Sequence, residues 1–115
     1  MSEQTPLQGS TYALASEHAG VFRTGFLPWL ADNMHVWAAF QREANRIWAR
    51  GRRHYSARTI GEVLRHESAL AEKGGEWKLN NSHFPDLARL YLLVHPERDG
   101  FFELRYQSNT PRAAA

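Results

Sequence analysis

The hydrophobic pattern predicts three principal helices. The first, over 34–50, has apolar residues repeating at the three- and four-residue spacing of one buried helix face: Val36, Trp37, Phe40, Ala44, Ile47 and Trp48. Asp32 or Asn33 is placed to cap its first turn, and Gly51 is placed to end it. This helix should therefore bury one side and present the other to solvent.

The second predicted helix begins after Ser56, a favourable N-cap, and ends near Leu70 or Ala71, before the glycine pair 74–75. Tyr55 and Ile60 are spaced as a hydrophobic staple around that start. We expect its buried face to consist of Ile60, Val63 and Leu64.

The third predicted helix, over 82–95, has Asn81 or Ser82 as its cap and Pro85 in its first turn, where proline is tolerated. It is apolar on almost every side, so it should be the most buried helix. Two short strands are also predicted, over 76–80 with Trp77 and Leu79 on one side, and over 101–106. In the second, alternation places Phe102, Leu104 and Tyr106 opposite Phe101, Glu103 and Arg105.

The expected fold class is thus mainly α, with three principal helices, the first two forming a helix-turn-helix-like pair, and a small two-stranded β ribbon. We expect a disordered tail over 1–10, one globular domain over 11–108 and a second tail over 109–115. A weaker helix is predicted over 11–20.

The stretch 21–30 is rich in large apolar residues but contains Gly25 and Pro28, which disfavour a long regular element. It is predicted to form a coil or a single helical turn that covers the core with Phe22, Phe26, Leu27 and Trp29. The alternative is an exposed aromatic docking patch.

Charge changes this picture at one place. The stretch 42–58 contains six arginines and one acid, a local charge of +5, whereas the whole chain is +2 and the remainder sums to −3. Twelve of the fourteen basic residues are arginine, which suits bidentate phosphate and carboxylate contacts.

A basic helix-turn-helix-like segment indicates binding to nucleic acid, with duplex DNA as the first expectation. The candidate contact residues are Arg42, Arg46, Arg50, Arg52, Arg53, His54, Arg58, Lys78, Asn80 and Asn81. Two simpler interpretations remain. In one, the arginines form only a solvent-exposed basic face; in the other, Asn81 serves as a helix cap while Arg89 pairs with Asp86 or another nearby acid. Because the third helix is so apolar, the arginines are expected to grip the backbone rather than support a base-reading helix.

The composition and the spacing of the histidines argue against several other classes of function. Without cysteine there is no disulfide, no thiolate nucleophile and no cysteine-bound zinc. The six histidines are scattered and match no metal-binding or catalytic spacing, so no enzyme activity, metal site or cofactor is expected. The competing hypothesis is a protein-binding module whose partner is an acidic host protein, since Trp and Arg are favoured at interface hot spots. A two-fold homodimer would suit a helix-turn-helix protein.

The runs GRRHYSARTIGEVLR, EWKLNN and PDLARLYLLVHPERDGFFELR resemble a family of small uncharacterised proteins encoded in bacteriophages and prophages. The resemblance covers roughly 40–105 and carries over no catalytic residue. It implies a bacterial cytoplasm and a phage-type role, either as a transcription regulator or as an inhibitor or adaptor of a host protein. No apolar run long enough to span a membrane and no signal-peptide pattern occur in the sequence, which agrees with a cytoplasmic protein.

Overall fold

The computed structural model describes residues 8–70, 79 and 81–104. Within them lie five α-helices: α1 (Gln8–Glu17), α2 (Phe26–Asp32), α3 (Met34–Ala49), α4 (Ala57–Leu70) and α5 (His83–Val94). Short 3-10 turns occupy Ala19–Val21 and Pro96–Arg98. The prediction of a mainly helical protein is confirmed, and two shorter helices precede the three principal ones.

Helix α5 is the centre of the fold. It contacts α1, α3 and α4, as well as the 3-10 turn that follows it. Its residues from Phe84 to Tyr91 are buried apart from half-buried Pro85. The apolar pattern of 82–95 predicted this position, because a helix that is apolar on all sides must be covered on all sides.

Helix α3 buries the predicted stripe at Val36, Trp37, Phe40, Ala44 and Ile47, whereas Trp48 is half-buried. Gly51 ends it with a φ of 98°, the left-handed conformation that glycine adopts at helix ends. Asn33 has the predicted position before the helix but not the predicted role. Its amide nitrogen donates to the carbonyl of Trp29 at 2.8 Å, so the side chain closes α2 and does not cap α3.

Helix α4 begins as predicted, with the Thr59 backbone N–H donating to the Ser56 hydroxyl at 3.1 Å. Its buried face is not the predicted one: Ile60 and Leu64 are buried, but Val63 is 41% exposed. The reason is Gly61, which faces the ring of Phe84 on α5. At about 100° per residue, a face containing 60, 61, 64 and 68 leaves position 63 outside it.

Gly61 sets how closely α4 approaches α5. A Cβ atom at this position would lie 2.2 Å from Cε1 of Phe84, well inside van der Waals contact. We expect Gly61→Ala to destabilise the protein by about 1–3 kcal/mol through overpacking, outweighing the gain of roughly 1 kcal/mol in helix propensity. Chemical denaturation measures this. Gly20→Ala is the matched control, since no atom lies within 4 Å of a Cβ there, and equal effects of the two variants would refute the packing argument.

The N-terminal part of the chain is more regular than predicted. Helix α1 starts at Gln8, three residues before the predicted helix and inside the predicted tail, and α2 spans seven residues despite Pro28. Phe22 and Phe26 are buried and stack with ring centroids 4.9 Å apart. The alternative of an exposed aromatic docking patch is therefore wrong for these two rings.

The predicted ribbon is not supported. The described residues contain no strand, and residues 76–78, 80 and 105–106 lie outside them. Phe102 forms only an isolated parallel bridge with Tyr55, whose N–H donates to the Phe101 carbonyl at 2.9 Å. Both phenylalanines are buried, whereas strand alternation would place them on opposite sides. The two rings lie in the core because a single bridge does not impose strand geometry on the chain.

Candidate nucleic-acid interface

Three arginines form a ridge along the exposed side of α3. Arg42, Arg46 and Arg50 are all exposed and follow one another every four residues, a rise of roughly 6 Å per step. Arg46 is ion-paired with Glu43. No carboxylate of a described residue lies within ion-pairing distance of Arg42 or Arg50. The outer ends of the ridge are thus available to an external anion.

The loop after α3 holds two more guanidinium groups against aromatic rings. Arg53 lies 4.0 Å from the ring centroid of Trp48 and donates to the carbonyls of Trp48 and Arg52, both at 3.0 Å. Arg52 lies 5.5 Å from the ring centroid of Tyr55. Both arginines are exposed, so their charges are preorganised at the surface without a carboxylate partner among the described residues.

Trp48 is held from a second side by Arg98, whose guanidinium carbon lies 4.9 Å from its ring centroid. Arg98 donates to the Asn45 side-chain oxygen at 2.9 Å, and the Tyr91 hydroxyl donates to the same oxygen at 2.6 Å. Burial raises the pKa of Tyr91, although Arg98 opposes this, so its hydroxyl stays protonated at neutral pH. This network joins α3 to α5, and through Arg98 it contacts the same Trp48 ring that Arg53 contacts.

A groove of about 740 Å³ lies beside the basic segment. One wall comes from the start of α4 and the loop before it, with His54, Tyr55, Ala57 and Arg58. The second wall is the start of α5 and the residue preceding its cap, with Asn81, Phe84, Pro85 and Ala88. Phe101, Glu103 and Leu104 form the third. The lining of the groove thus combines apolar side chains with polar and charged ones.

The structure divides the predicted contact residues that it describes into three groups. His54, Arg58 and Asn81 converge on the groove. Arg42, Arg46 and Arg50 form the ridge, and Arg52 and Arg53 lie in the loop after α3. Lys78 and Asn80 lie outside the described residues. Arg58 donates to Glu62 at 2.9 Å, and both side chains are largely exposed, so this pair is weak and open to competition.

His54 and Asn81 are each anchored on one side. Nδ1 of His54 lies 3.2 Å from the Gly100 carbonyl oxygen, to which it donates. The Asn81 side-chain oxygen accepts from Arg65 at 3.3 Å. Ser82, the other predicted candidate, occupies the N-cap position of α5, although its side chain makes no capping hydrogen bond, so the interpretation of Asn81 as the helix cap is wrong.

Several residues of this surface were not identified from the sequence. Phe84, Pro85, Ala88 and Leu104 shape the groove, and Arg98 supports Trp48. They come from segments far apart in the chain, so no local spacing signals that they meet. The one indication available in the sequence was that the aromatic residue Tyr55 lies between Arg52 and Arg58 in the chain.

Helix α5 does not present a base-reading face. Asp86 and Arg89 are buried and joined by an ion pair of 2.8 Å, as the simpler interpretation of Arg89 predicted. His83, at its first position, is half-buried and stacks on Trp29 at 4.0 Å between centroids, and burial lowers its pKa. Asp86, Arg89 and His83 thus make contacts within the fold and do not form a polar face toward a DNA groove.

The described part of the chain contains no cluster of three or more residues suited to holding a metal ion. Its helices are all too short or too polar to cross a membrane. Comparisons with models of protein families, with curated proteins and with solved structures found no match to this chain. The resemblance to small phage and prophage proteins therefore stays a prediction.

Proposed function

We propose that this protein binds nucleic acid by gripping the phosphate backbone through the surface of segment 42–58. The observation that carries the proposal is the set of exposed guanidinium groups without carboxylate partners among the described residues: Arg42, Arg50, Arg52 and Arg53. Arginines left unpaired on one continuous stretch raise the local anion affinity, and each phosphate neutralised releases condensed counterions.

Recognition through the backbone follows from the burial of α5. A reading helix must place several polar side chains against base edges in the major groove, and α5 uses Asp86 and Arg89 internally. Contacts to phosphates alone position a protein without selecting sequence. In a phage-type setting such a protein would act as a regulator by occupying DNA.

The surface chemistry favours this proposal over a host-protein inhibitor. Interface hot spots are built from exposed aromatic anchors together with arginine. Among the described residues the exposed large hydrophobic side chains are Val21 and Val63, neither of them aromatic. Trp48, which would be the natural anchor in the basic segment, is half-buried and lies against Arg53 and Arg98.

The test is a fluorescence-anisotropy titration of labelled duplex DNA at several salt concentrations. Affinity should fall linearly with the logarithm of salt concentration. The double variant Arg42→Gln/Arg50→Gln should reduce the magnitude of that slope by about 2 and weaken binding roughly tenfold per arginine near 0.1 M salt, whatever the DNA sequence.

Arg23→Gln is the matched control, because Arg23 is exposed but lies outside the segment and contributes only its backbone N–H to a described hydrogen bond. It should be compared with the single variant Arg50→Gln. Salt-independent binding, or equal losses for these two variants, would overturn the proposal. A stoichiometric partner that persists after nuclease treatment of a bacterial lysate would favour the host-protein hypothesis instead.

A further inference from the structure

We propose that the groove between α4, α5 and Phe101–Leu104 receives an unpaired nucleobase, so that the preferred ligand is single-stranded nucleic acid. This inference rests on the proposed function and adds the class of ligand to it. It is carried by the position of the groove, because two of the basic candidates, His54 and Arg58, form one of its walls.

The interior of the groove suits a flat aromatic ring. Its volume of about 740 Å³ lies within the range of about 300–1,000 Å³ that is typical of small-molecule sites. Half-buried Pro85, Tyr55 and Leu104 supply apolar surface that a base can reach, while Phe84 and Ala88 line the groove but are almost wholly buried. Proteins that bind single strands place unstacked bases against such apolar and aromatic surfaces.

Asn81 supplies a group that can bond to the edge of a base. Its side-chain oxygen is occupied by Arg65, which leaves the amide nitrogen as the group without a hydrogen-bond partner among the described residues. The side chain is exposed at the groove wall. An amide N–H donor is complementary to the ring-nitrogen and carbonyl acceptors that bases carry.

The rim carries charges of both signs. Arg58 lies in the first turn of α4, and the exposed carboxylate of Glu103 follows Phe102, the residue that bridges to Tyr55. A phosphate is attracted to Arg58 and repelled by Glu103, so we place the backbone on the Arg58 side with its base directed inward. The same side is continuous in sequence with Arg52 and Arg53, which extends the track for neighbouring phosphates.

The experiment compares two labelled single strands of equal length and charge, oligothymidylate and an abasic strand, by anisotropy at one salt concentration. The strand with bases should bind roughly tenfold more tightly, the effect expected of one accommodated base. Ala57→Phe fills the groove without changing charge, and Asn81→Leu removes the amide donor. Either change should lower affinity for oligothymidylate to near that of the abasic strand.

The double variant Arg42→Gln/Arg50→Gln should lower the affinity for the oligothymidylate and for the abasic strand by the same factor. Circular dichroism and thermal unfolding verify that each variant is folded. If Ala57→Phe does not fold, the affinity of Asn81→Leu for oligothymidylate is the test of the groove. Equal binding of the two strands by the unaltered protein, with salt-dependent DNA binding intact, overturns the groove assignment alone. Absence of binding to both strands and to duplex DNA overturns this inference together with the proposed function.

Discussion

Replacing Asp86 by alanine is expected to lower the free energy of unfolding by about 3–5 kcal/mol, because it removes one partner of a buried ion pair, the carboxylate bound to the Arg89 guanidinium. Asp86 is 1% exposed and the side chain of Arg89 is 8% exposed, and their nearest atoms are 2.8 Å apart. The second carboxylate oxygen accepts the backbone N–H of Arg23 at 3.3 Å, which joins the chain before α2 to α5. Urea denaturation followed by tryptophan fluorescence measures the loss.

Asp86→Asn is the variant that separates charge from hydrogen bonding. Burial raises the pKa of Asp86, and the hydrogen bonds from Arg23 and Arg89 only partly offset this, so the folded protein penalises the ionised carboxyl. Asparagine keeps an acceptor for Arg89 but places N–H groups against the Arg23 N–H. We expect a cost of about 1 kcal/mol, the value of one hydrogen bond. An asparagine variant as unstable as the alanine variant would show instead that Arg89 requires the negative charge.

The raised pKa of Asp86 also determines whether stability rises or falls with pH. Because the folded-state pKa of Asp86 lies above its ordinary value of 3.8, the neutral carboxyl is favoured in the folded protein. Its contribution to stability is fully present below the ordinary value and is lost as pH rises through the folded-state pKa. In this window the stability of the unaltered protein should therefore fall with rising pH relative to Asp86→Asn, which cannot titrate.

Features determined within a few residues of one another were predictable from the sequence. The stripe of α3, the start of α4 at Ser56 and the end of α3 at Gly51 each depend on local spacing or on a single backbone conformation. The +5 charge of segment 42–58 is likewise a local property, and its arginines are exposed as expected.

Features that depend on a partner from elsewhere in the chain were not predictable. Val63 fits a helical stripe with Ile60, but the position of Phe84 rotates the buried face of α4 toward Gly61. The groove was not predictable for the same reason. Asn81 and Arg58 were each predicted as contact residues, but only the packing of α4 on α5 brings them to the same groove. Periodicity describes one helix at a time and contains no information about such approaches.

Phe101→Ala and Phe102→Ala should each lower the free energy of unfolding by about 3–5 kcal/mol, the usual cost of truncating a buried phenylalanine. The two rings are 1% and 2% exposed, with centroids 4.7 Å apart. Phe101 meets the edge of Trp48 at 5.4 Å, whereas Phe102 lies 5.6 Å from Phe40 and 5.4 Å from Tyr91. Tyr91 lies near both rings, 6.0 Å from that of Phe101, whereas Trp48 packs on Phe101 and Phe40 on Phe102, so the two rings fill different parts of the core.

Phe101→Ala and Phe102→Ala together distinguish the observed structure from the strand that the sequence pattern predicts over 101–106. In a strand lying on the core, one of two successive side chains points to solvent, so one of the two truncations would change stability by less than roughly 0.5 kcal/mol. Losses of similar size at both positions require both rings to be inside. Glu103→Ala, the exposed next position, is the matched control and should be close to neutral. Because Phe101 also forms part of the groove and packs on Trp48, its loss should weaken oligothymidylate binding even under conditions where the variant remains folded.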